Sequence, residues 1–414
     1  MNTEPVPLPL RAKLATTLLK SAAALSRATG RGDGSVIGGR VGLKVEPQLL
    51  ALLARGREVA LVSGTNGKTT TTRFVAAALG VLGDVATNSF GANMPTGHTT
   101  ALAQSVGAPY AVLEVDEHYL RGVLPQTTPR VVALLNLSRD QLDRAMEVGM
   151  MAEAWRKALD GVHTHIVANC DDPMIVWAAS TSREVTWVAA GQRWQEDSFV
   201  CPNCGRHLDR EGVHWACPGC QLRRPTPTWS LDDTDAVLAP DGNRYEVTLQ
   251  LPGRVNKANA ATALAVAARF GVSPTQALPR IAQVASIAGR YATVVKGDHV
   301  IRLLLAKNPA GWLEALDMVE PGCPVLLAIN ARDPDGLDTS WLYDVDFSPL
   351  RGRHVLVSGD RAYDLCVRLD INEVPFEHVP NFGTALARTG NGRLEVIANY
   401  TAFQDIRAEL DRVN

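Results

Sequence analysis

The chain has 414 residues, of which 46% are hydrophobic and 20% charged, and its formal net charge is −2. A globular chain of this length is expected to form two or three domains. The near-neutral charge argues against a nucleic-acid-binding protein, and no apolar run reaches the roughly 20 residues that a transmembrane helix needs. Seven cysteines, four of them in one cluster, favour a reducing compartment and a metal site. We therefore expect a cytoplasmic enzyme, with at most peripheral contact to the inner face of the membrane.

Residues 1–50 form the first segment of the predicted organisation. Lys20 interrupts the apolar and basic stretch 9–28, so we interpret this stretch as an amphipathic surface helix rather than a signal peptide. The glycine-rich stretch from Gly30 to Gly39 predicts a loop.

A glycine-rich loop follows the apolar run 59–62 and precedes a helical pattern that starts at Thr72. Its glycines allow backbone N–H groups to approach a phosphate, and the helix N-terminus adds a favourable dipole. The general GxxxxGK[ST] pattern has a glycine where Val62 stands, so this is a narrower form of the loop. The alternative is a tight turn that caps a buried strand. We predict ATP binding, with Lys68 at the β- and γ-phosphates, Thr69 at Mg²⁺, and the following loop residues around them: Gly64, Thr65, Asn66, Gly67 and Thr70.

Short apolar runs alternate with helical patterns through the predicted central domain, residues 51–288. Runs at 110–115, 131–137, 165–169 and 185–188 are typical of buried parallel strands. Polar and acidic residues follow three of these runs, at 114–118, 136–143 and 169–172. The alternation predicts an α/β doubly wound domain whose ligand lies beyond the carboxyl ends of its strands.

A four-cysteine insert at 199–222 interrupts this domain. Its spacing is CxxC-x12-CxxC, formed by Cys201, Cys204, Cys217 and Cys220. Four thiolates at this spacing suit tetrahedral Zn²⁺ in a structural site; two disulfides are the alternative. A nucleic-acid-binding ribbon is disfavoured, because the only nearby cations are Arg206, Arg210, Arg223 and Arg224.

Residues 289–414 form the predicted C-terminal α/β domain, which is Rossmann-like. Its apolar strands lie at 300–305, 324–330, 354–358 and 394–399, and the segment Gly289–Tyr291 is predicted to be the hinge that leads into it.

The glycine loop resembles that of the Mur ligase superfamily, the ATP-dependent enzymes that join amines to peptidoglycan precursors or folates. Residues 114–118 resemble the superfamily's Mg²⁺-binding strand end, residues 169–173 its N-x-D-D-P turn, and residues 251–260 its adenine-binding segment. The resemblance implies that Glu114 or Glu117 joins Thr69 at Mg²⁺ and that Asn259 contacts adenine.

Two further residues have alternatives. His118 either binds a second metal or orients the substrate, or it is a hydrogen-bonded supporting residue. Arg290, at the predicted hinge, is expected to reach the γ-phosphate on domain closure, the alternative being a surface arginine.

A narrower resemblance is to the MurT family, Mur ligase-like synthetase subunits of lipid II isoglutaminyl synthase. It rests on residues 136–144, the cysteine insert, and the segments 307–311, 338–341 and 399–403. The resemblance implies a heterodimer with the glutaminase GatD. It also implies ATP-dependent amidation of the α-carboxylate of D-glutamate in lipid II, through an acyl phosphate and with ammonia from the partner.

The chain departs from the wider superfamily at Leu304, which stands where amino-acid-adding members have an acidic residue at the nucleotide ribose. The departure disfavours the first rival, an amino-acid-adding ligase of the muramyl or folylpolyglutamate type. A second rival is a zinc-ribbon ATP-binding module without ligase chemistry.

No cysteine of this chain lies in a recognisable nucleophile motif, so ammonia must come from another polypeptide or from solution. In a Cys–His pair the third member is an acid that orients the imidazole. We hypothesise that Asp338, or else Asp344, orients the partner's histidine; the alternative for Asp338 is a helix N-cap.

Overall fold

A computed structural model describes residues 7–30, 32–88, 91–140, 147–189, 191–285 and 291–411. The chain divides into two compact units. Unit 1 comprises residues 1–137 and 148–285, and unit 2 comprises residues 138–147 and 286–414. Residues 1–50, expected as a separate segment, group with unit 1.

Unit 1 is an α/β unit. Its helices are α1 (Leu10–Ala28), α2 (Ser35–Val45), α3 (Leu49–Ala54), α4 (Lys68–Leu79), α5 (Pro95–Gln104), α6 (Leu120–Thr127), α7 (Val148–Leu159), α8 (Pro173–Ala179), α9 (Arg254–Ala268) and α10 (Pro274–Ile281). Its strands are β1 (Glu58–Ser63), β2 (Val85–Thr87), β3 (Tyr110–Val115), β4 (Val131–Leu134), β5 (His165–Asn169), β6 (Val185–Ala189), β7 (Asp209–Glu211), β8 (His214–Ala216), β9 (Trp229–Leu231), β10 (Ala236–Leu238) and β11 (Arg244–Glu246).

The main sheet of unit 1 has the order β11-β10-β9-β6-β5-β4-β1-β3-β2. Within this sheet, the strands β2, β3, β1, β4, β5, β6 and β9 run parallel to one another. Strand β10 pairs antiparallel with both of its neighbours. The strand β4 is buried at every position, and β1 and β3 are buried at every position after their first residue, as expected for a parallel sheet covered on both faces. The carboxyl ends of these three strands therefore meet at one edge of the sheet.

The loop predicted from Gly30 to Gly39 is wrong from Ser35 onward, because helix α2 begins at that residue. The glycines of α2 allow close contact with α1. A Cβ at Gly38 would lie 3.0 Å from the Cβ of Ala23, and one at Gly42 would lie 2.9 Å from Cδ1 of Leu19. The close packing of α1 on α2 stabilises a helix that glycine's low helix propensity disfavours.

Unit 2 is also α/β. It contains β12 (Tyr291–Lys296), β13 (His299–Leu305), α11 (Pro309–Met318), β14 (Val325–Ala328), two 3₁₀ turns (Ser340–Asp344 and Ser348–Leu350), β15 (Val355–Ser358), α12 (Ala362–Ile371), β16 (Phe376–His378), α13 (Phe382–Thr389), β17 (Gly392–Ala398) and α14 (Tyr400–Asp411). The sheet order is β12-β13-β17-β14-β15-β16, and only β12 runs antiparallel to its neighbour. The predicted α/β class is confirmed for both units.

Within the described residues, none of the helices combines the length and the apolar character needed to cross a bilayer.

Candidate functional site

The loop between β1 and α4 has the backbone geometry of a phosphate cradle. Gly64 has φ +145° and Gly67 has φ +82°, conformations that side chains disfavour. A Cβ at Gly64 would lie 2.9 Å from the Cβ of Leu135, so only glycine fits beside the end of β4. Gly67 is the N-cap of α4 and leaves the first N–H groups of that helix for an anion.

Lys68 is the buried cation of this loop. Its Nζ donates to the carbonyl oxygens of Gly64 and Thr65, at 2.5 and 3.1 Å, and to Oε2 of Glu117 at 2.8 Å. The Lys68 and Glu117 side chains are both buried. A buried pair of opposite charges holds the ammonium group at the start of α4, where phosphate oxygens would be recognised.

Thr69 provides the test of whether Mg²⁺ and ATP fit this loop. Its Oγ1 is buried and has no hydrogen-bond partner among the described residues. Buried hydroxyl groups normally have partners, so an unpaired one beside Lys68 points to a missing ligand. The glycine loop, the buried Lys68 and the unpaired Thr69 hydroxyl thus fit a nucleoside triphosphate with its magnesium ion. Thr70, also predicted to bind nucleotide, lies buried in the first turn of α4.

Glu114 lies near the carboxyl end of β3 and is fully buried. Asn88 holds its backbone from both sides: its Oδ1 accepts from Glu114 N at 2.8 Å and its Nδ2 donates to Glu114 O at 3.0 Å. His98 Nε2 lies 2.7 Å from the same carbonyl oxygen. Burial lowers the pKa of His98 to about 4, so the ring is neutral at physiological pH and donates through Nε2.

Asn88 and His98 were not predicted from the sequence as site residues. They lie on segments far from Glu114 in sequence, and neither belongs to the glycine loop or to an acidic strand end. Their contacts with Glu114 depend on the sheet.

His118 differs from the two glutamates because it is partly exposed. Its Nδ1 lies 3.1 Å from Oδ1 of Asp116, and its backbone N–H donates to the same oxygen. This geometry agrees with the supporting-residue alternative, while leaving the ring exposed.

Asn136 supports the backbone of the glycine loop, and this role was not predicted. Its backbone oxygen accepts from Thr65 N and its Oδ1 accepts from Asn66 N, both at 2.9 Å, while its Nδ2 donates to Asn66 O at 3.0 Å. The side chain therefore copies the pairing of a neighbouring strand. Its position directly after a predicted strand was the feature of the sequence that could have indicated this role.

Asn259, on α9, packs against the same loop. Its Oδ1 accepts from Thr71 Oγ1 at 3.3 Å, and a Cβ at Gly67 would lie 2.7 Å from that oxygen. The structure thus places the predicted adenine-binding residue beside the glycine loop.

The four insert cysteines form one cluster, in which the sulfur atoms all lie within 4.8 Å of one another. The Sγ atoms of Cys201 and Cys220 are 3.6 Å apart, and those of Cys204 and Cys217 are 3.3 Å apart. None of the four forms a disulfide. Four thiols that converge on one point fit a tetrahedral Zn²⁺ ion.

The cysteine module, residues 199–224, docks onto the end of β5. The buried Trp215 donates from Nε1 to the backbone oxygen of Cys170 at 3.1 Å. Arg224 donates from Nε to Oδ1 of Asp171 at 2.7 Å; the Asp171 side chain is buried, and that of Arg224 is partly buried. Arg210, another cation of the insert, donates inward to Ser198. Two of the four nearby arginines thus serve internal contacts.

Asp172 connects this region to the glycine loop. It caps α8 by accepting from Met174 N and Ile175 N, and its Oδ2 accepts from Leu137 N at 2.9 Å. Complete burial raises the pKa of Asp172 to about 6, although these hydrogen bonds act in the opposite direction. Because Leu137 follows Asn136, Asp172 fixes the segment that holds the glycine loop.

In unit 2, Asp338 and Asp344 are both exposed. Asp338 Oδ1 accepts from Ser340 N at 2.8 Å, the local contact that the capping alternative expects, although the N-cap of the turn is Thr339. This hydrogen bond lowers the pKa of Asp338, so its carboxylate is ionised at neutral pH. Asp344, by contrast, pairs with Arg139 at 3.2 Å. Arg290 lies outside the described residues.

Leu304 is buried in the core of unit 2, in the same cluster as Trp312. The position of the missing ribose-binding acid is therefore a packing position. The following residues are polar: Lys307 pairs with Asp140, and Asn308 caps α11 by accepting from Gly311 N at 2.9 Å.

Comparisons with known proteins agree with the resemblance to Mur ligases and to MurT. The family model for the Mur ligase middle domain matches residues 62–267, and the model for the MurT ligase C-terminal domain matches residues 305–403. The chain is 29% identical to the lipid II isoglutaminyl synthase (glutamine-hydrolyzing) subunit MurT of Staphylococcus aureus, over 97% of this chain and 98% of that protein. It is also 29% identical to the Streptococcus pneumoniae subunit of the same name, over 91% and 92% of the two chains.

Among solved structures, a pseudomurein peptide ligase type C from Methanothermus fervidus is similar with a TM-score of 0.66 and 18% identity, over 86% of this chain and 79% of that chain. That similarity concerns the fold alone and agrees with a Mur ligase fold. The two family models, with the similarity to MurT subunits along almost the whole chain, show a Mur ligase-like chain of the MurT type.

Proposed function

We propose that this chain is the ATP-dependent synthetase subunit that amidates the α-carboxylate of D-glutamate in the stem peptide of lipid II. The observation that carries the ATP-dependent part is the unpaired, buried Thr69 hydroxyl beside the buried Lys68 in the glycine loop. The choice of lipid II as the substrate rests on the names of the two MurT subunits, to which the chain is similar along almost its whole length.

The first step activates the carboxylate. One of its oxygens attacks the γ-phosphorus of ATP, the bond from that phosphorus to the β–γ bridging oxygen breaks, and ADP leaves. The developing charge lies on phosphate oxygens, so Lys68 and the N–H groups at the start of α4 would stabilise it. Mg²⁺, held by Thr69 and by Glu114 or Glu117, would supply further neutralisation of phosphate charge.

The second step forms the amide. The nitrogen of ammonia attacks the acyl carbon of the acyl phosphate, the carbon–oxygen bond to phosphate breaks, and inorganic phosphate leaves. The nitrogen then loses a proton to give the neutral amide. Ammonia itself would be made by hydrolysis of glutamine on a partner subunit of the GatD type. Asp338, exposed and ionised, is our candidate for orienting that partner's histidine.

The four-cysteine cluster is proposed to hold a structural Zn²⁺, since all four positions are thiols. Because ATP is a cytoplasmic substrate, we place the reaction on the cytoplasmic side of the membrane. Amino-acid addition is less well supported, because the buried Leu304 stands at the position of the acid that amino-acid-adding relatives use.

The proposal is tested by purifying the chain with a GatD-type glutaminase and supplying lipid II, ATP and either glutamine or ammonium. We expect the amidated stem peptide by mass spectrometry with both nitrogen sources, and none when ATP is omitted. The Lys68→Met variant, which lacks the buried cation of the glycine loop, is the control. No amidated product with either source would overturn the proposal.

A further inference from the structure

Helix α1 carries its large apolar side chains on the outside. Leu10, Leu14, Leu18 and Leu25 are 84%, 56%, 40% and 66% exposed, and of the five leucines in α1 only Leu19 is buried. Four exposed leucines on one helix are unusual in a water-soluble surface, since leucine is among the residues most often buried.

The exposed leucines share one face of the helix. Leu10, Leu14 and Leu18 follow one another at four-residue intervals, and Leu25 lies seven residues after Leu18. These intervals place all four in one stripe. We call this stripe, Leu10, Leu14, Leu18 and Leu25, the leucine face of α1.

The opposite face of α1 already has its packing partner. It consists of small side chains and one leucine, with Ala12, Ala15, Leu19 and Ala23 all fully buried. Leu19 and Ala23 contact the glycines of α2 and its N-cap Gly34, where a Cβ would lie 2.4 Å from the Ala23 carbonyl oxygen. Close contact with α2 fixes the rotation of α1, so the leucine face points away from the core.

Basic residues flank the leucine face. Lys13, Lys20 and Arg27 follow one another at seven-residue intervals and form a second stripe beside it, and α1 contains no acidic residue. Between residues 10 and 45 there are seven lysines and arginines and one acidic residue, Asp33. The net charge of −2 for the whole chain therefore hides a strongly basic N-terminal segment.

We propose that the leucine face of α1 binds the surface of an anionic lipid bilayer. Exposed leucines beside lysines are the composition of helices that lie in the membrane interface, because the apolar side chains enter the acyl region while the cations meet anionic headgroups. A neutral protein partner would satisfy the leucines and leave the basic stripe without a counterpart. Membrane binding through the leucine face is independent of which substrate the enzyme takes.

The test is co-sedimentation of the full chain with vesicles that contain no lipid II. Phosphatidylcholine vesicles with and without phosphatidylglycerol are compared. We expect binding to the anionic vesicles, weaker binding to the neutral ones, and a decrease with added salt. Leu14→Ser/Leu18→Ser should bind anionic vesicles at least about tenfold more weakly, because two leucines no longer enter the acyl region. Lys13→Glu/Lys20→Glu should lose the preference for anionic lipid.

Matched controls carry comparable changes, from an apolar residue to serine and from a cation to glutamate, elsewhere on the surface. Val213→Ser/Val295→Ser removes two exposed apolar side chains, and Arg223→Glu/Arg280→Glu reverses two exposed charges. Both should bind vesicles like the unaltered chain. Because all changed residues are exposed, thermal unfolding should be unchanged and serves as the folding control.

Two results would overturn the proposal. One is that the unaltered chain stays in the supernatant with anionic vesicles. The other is that Leu14→Ser/Leu18→Ser binds anionic vesicles as well as the unaltered chain does; a changed oligomeric mass of this variant by light scattering would then make the leucine face a protein contact. Neither result bears on ATP-dependent amidation of lipid II presented in detergent.

Discussion

The Nζ of Lys68 lies 2.8 Å from Oε2 of Glu117, and both side chains are buried. This ion pair joins the first residue of α4 to the polar segment that follows β3. A buried charge whose partner is removed is costly, whereas a neutral replacement of both partners is tolerated. The pair therefore allows the stability and the chemistry of Lys68 to be measured separately.

The first prediction concerns this pair. Lys68→Met should lower the free energy of unfolding by about 3 kcal/mol, because it leaves the Glu117 carboxylate buried and unpaired. It should also abolish ATP turnover. Lys68→Met/Glu117→Gln should recover most of the stability in urea unfolding and none of the turnover. The control is Lys157→Met, which breaks an exposed pair with Glu153 and should cost at most about 1 kcal/mol. If the double variant hydrolyses ATP normally, Lys68 has no role at the phosphates.

The second prediction concerns Asp338. Asp338→Asn keeps an oxygen that can accept from Ser340 N but removes the charge. With the glutaminase partner bound, it should lose glutamine-driven amidation and keep ammonium-driven amidation. Asp346→Asn is a close control, because Asp346 makes the same local hydrogen bond to Ser348 N at 2.9 Å and is also exposed. Equal loss with both nitrogen sources would contradict a role of Asp338 at the partner's histidine.

The third prediction concerns the docking of the cysteine module. Arg224→Ala should destabilise the chain by about 3 kcal/mol, because the buried Asp171 loses its charged partner. We also expect weaker ATP binding by calorimetry, since the neighbouring Asp172 holds Leu137 and thereby the segment beside the glycine loop. Arg223→Ala, one position earlier and exposed, should leave both quantities unchanged. Normal ATP affinity in a destabilised Arg224→Ala chain would show that the module serves folding alone.

The fourth prediction concerns metal removal. The chain should contain about one zinc ion, and a chelator should lower its thermal unfolding temperature, because four converging thiols lose their common ligand. Cys204→Ser/Cys217→Ser should contain no zinc by atomic emission. Cys366→Ser, outside the cluster, should retain it. Full zinc content in the double variant would contradict the four-thiolate site.

The fifth prediction is a pH dependence that originates at Asp172. Its pKa is raised from 3.8 to about 6 by burial, so the folded state holds its proton more tightly than the unfolded state. Its contribution to stability is therefore complete below pH 3.8 and is lost as the pH rises through about 6. Relative to Asp172→Asn, which does not titrate, the free energy of unfolding should fall by about 2 kcal/mol between about pH 4.5 and about pH 7.5. A constant difference across this range would show that Asp172 is ionised throughout.

Sequence alone determined the parts of this protein that are local in the chain. The glycine loop, the cysteine spacing and the strand Tyr110–Val115 were all predicted, because each depends on neighbouring residues or on a short, regular interval. The match to the Mur ligase superfamily followed from the same local motifs and is confirmed.

Only the tertiary structure decided which distant residues support those motifs. Asn136 holds the loop, His98 contacts the Glu114 backbone and Arg224 pairs with Asp171 through contacts that depend on strand order rather than on spacing. The same reason explains the error at α2, where glycines that predict a loop form a helix because they pack against α1. Packing can override local propensity, and it also determined that the leucines of α1 face outward.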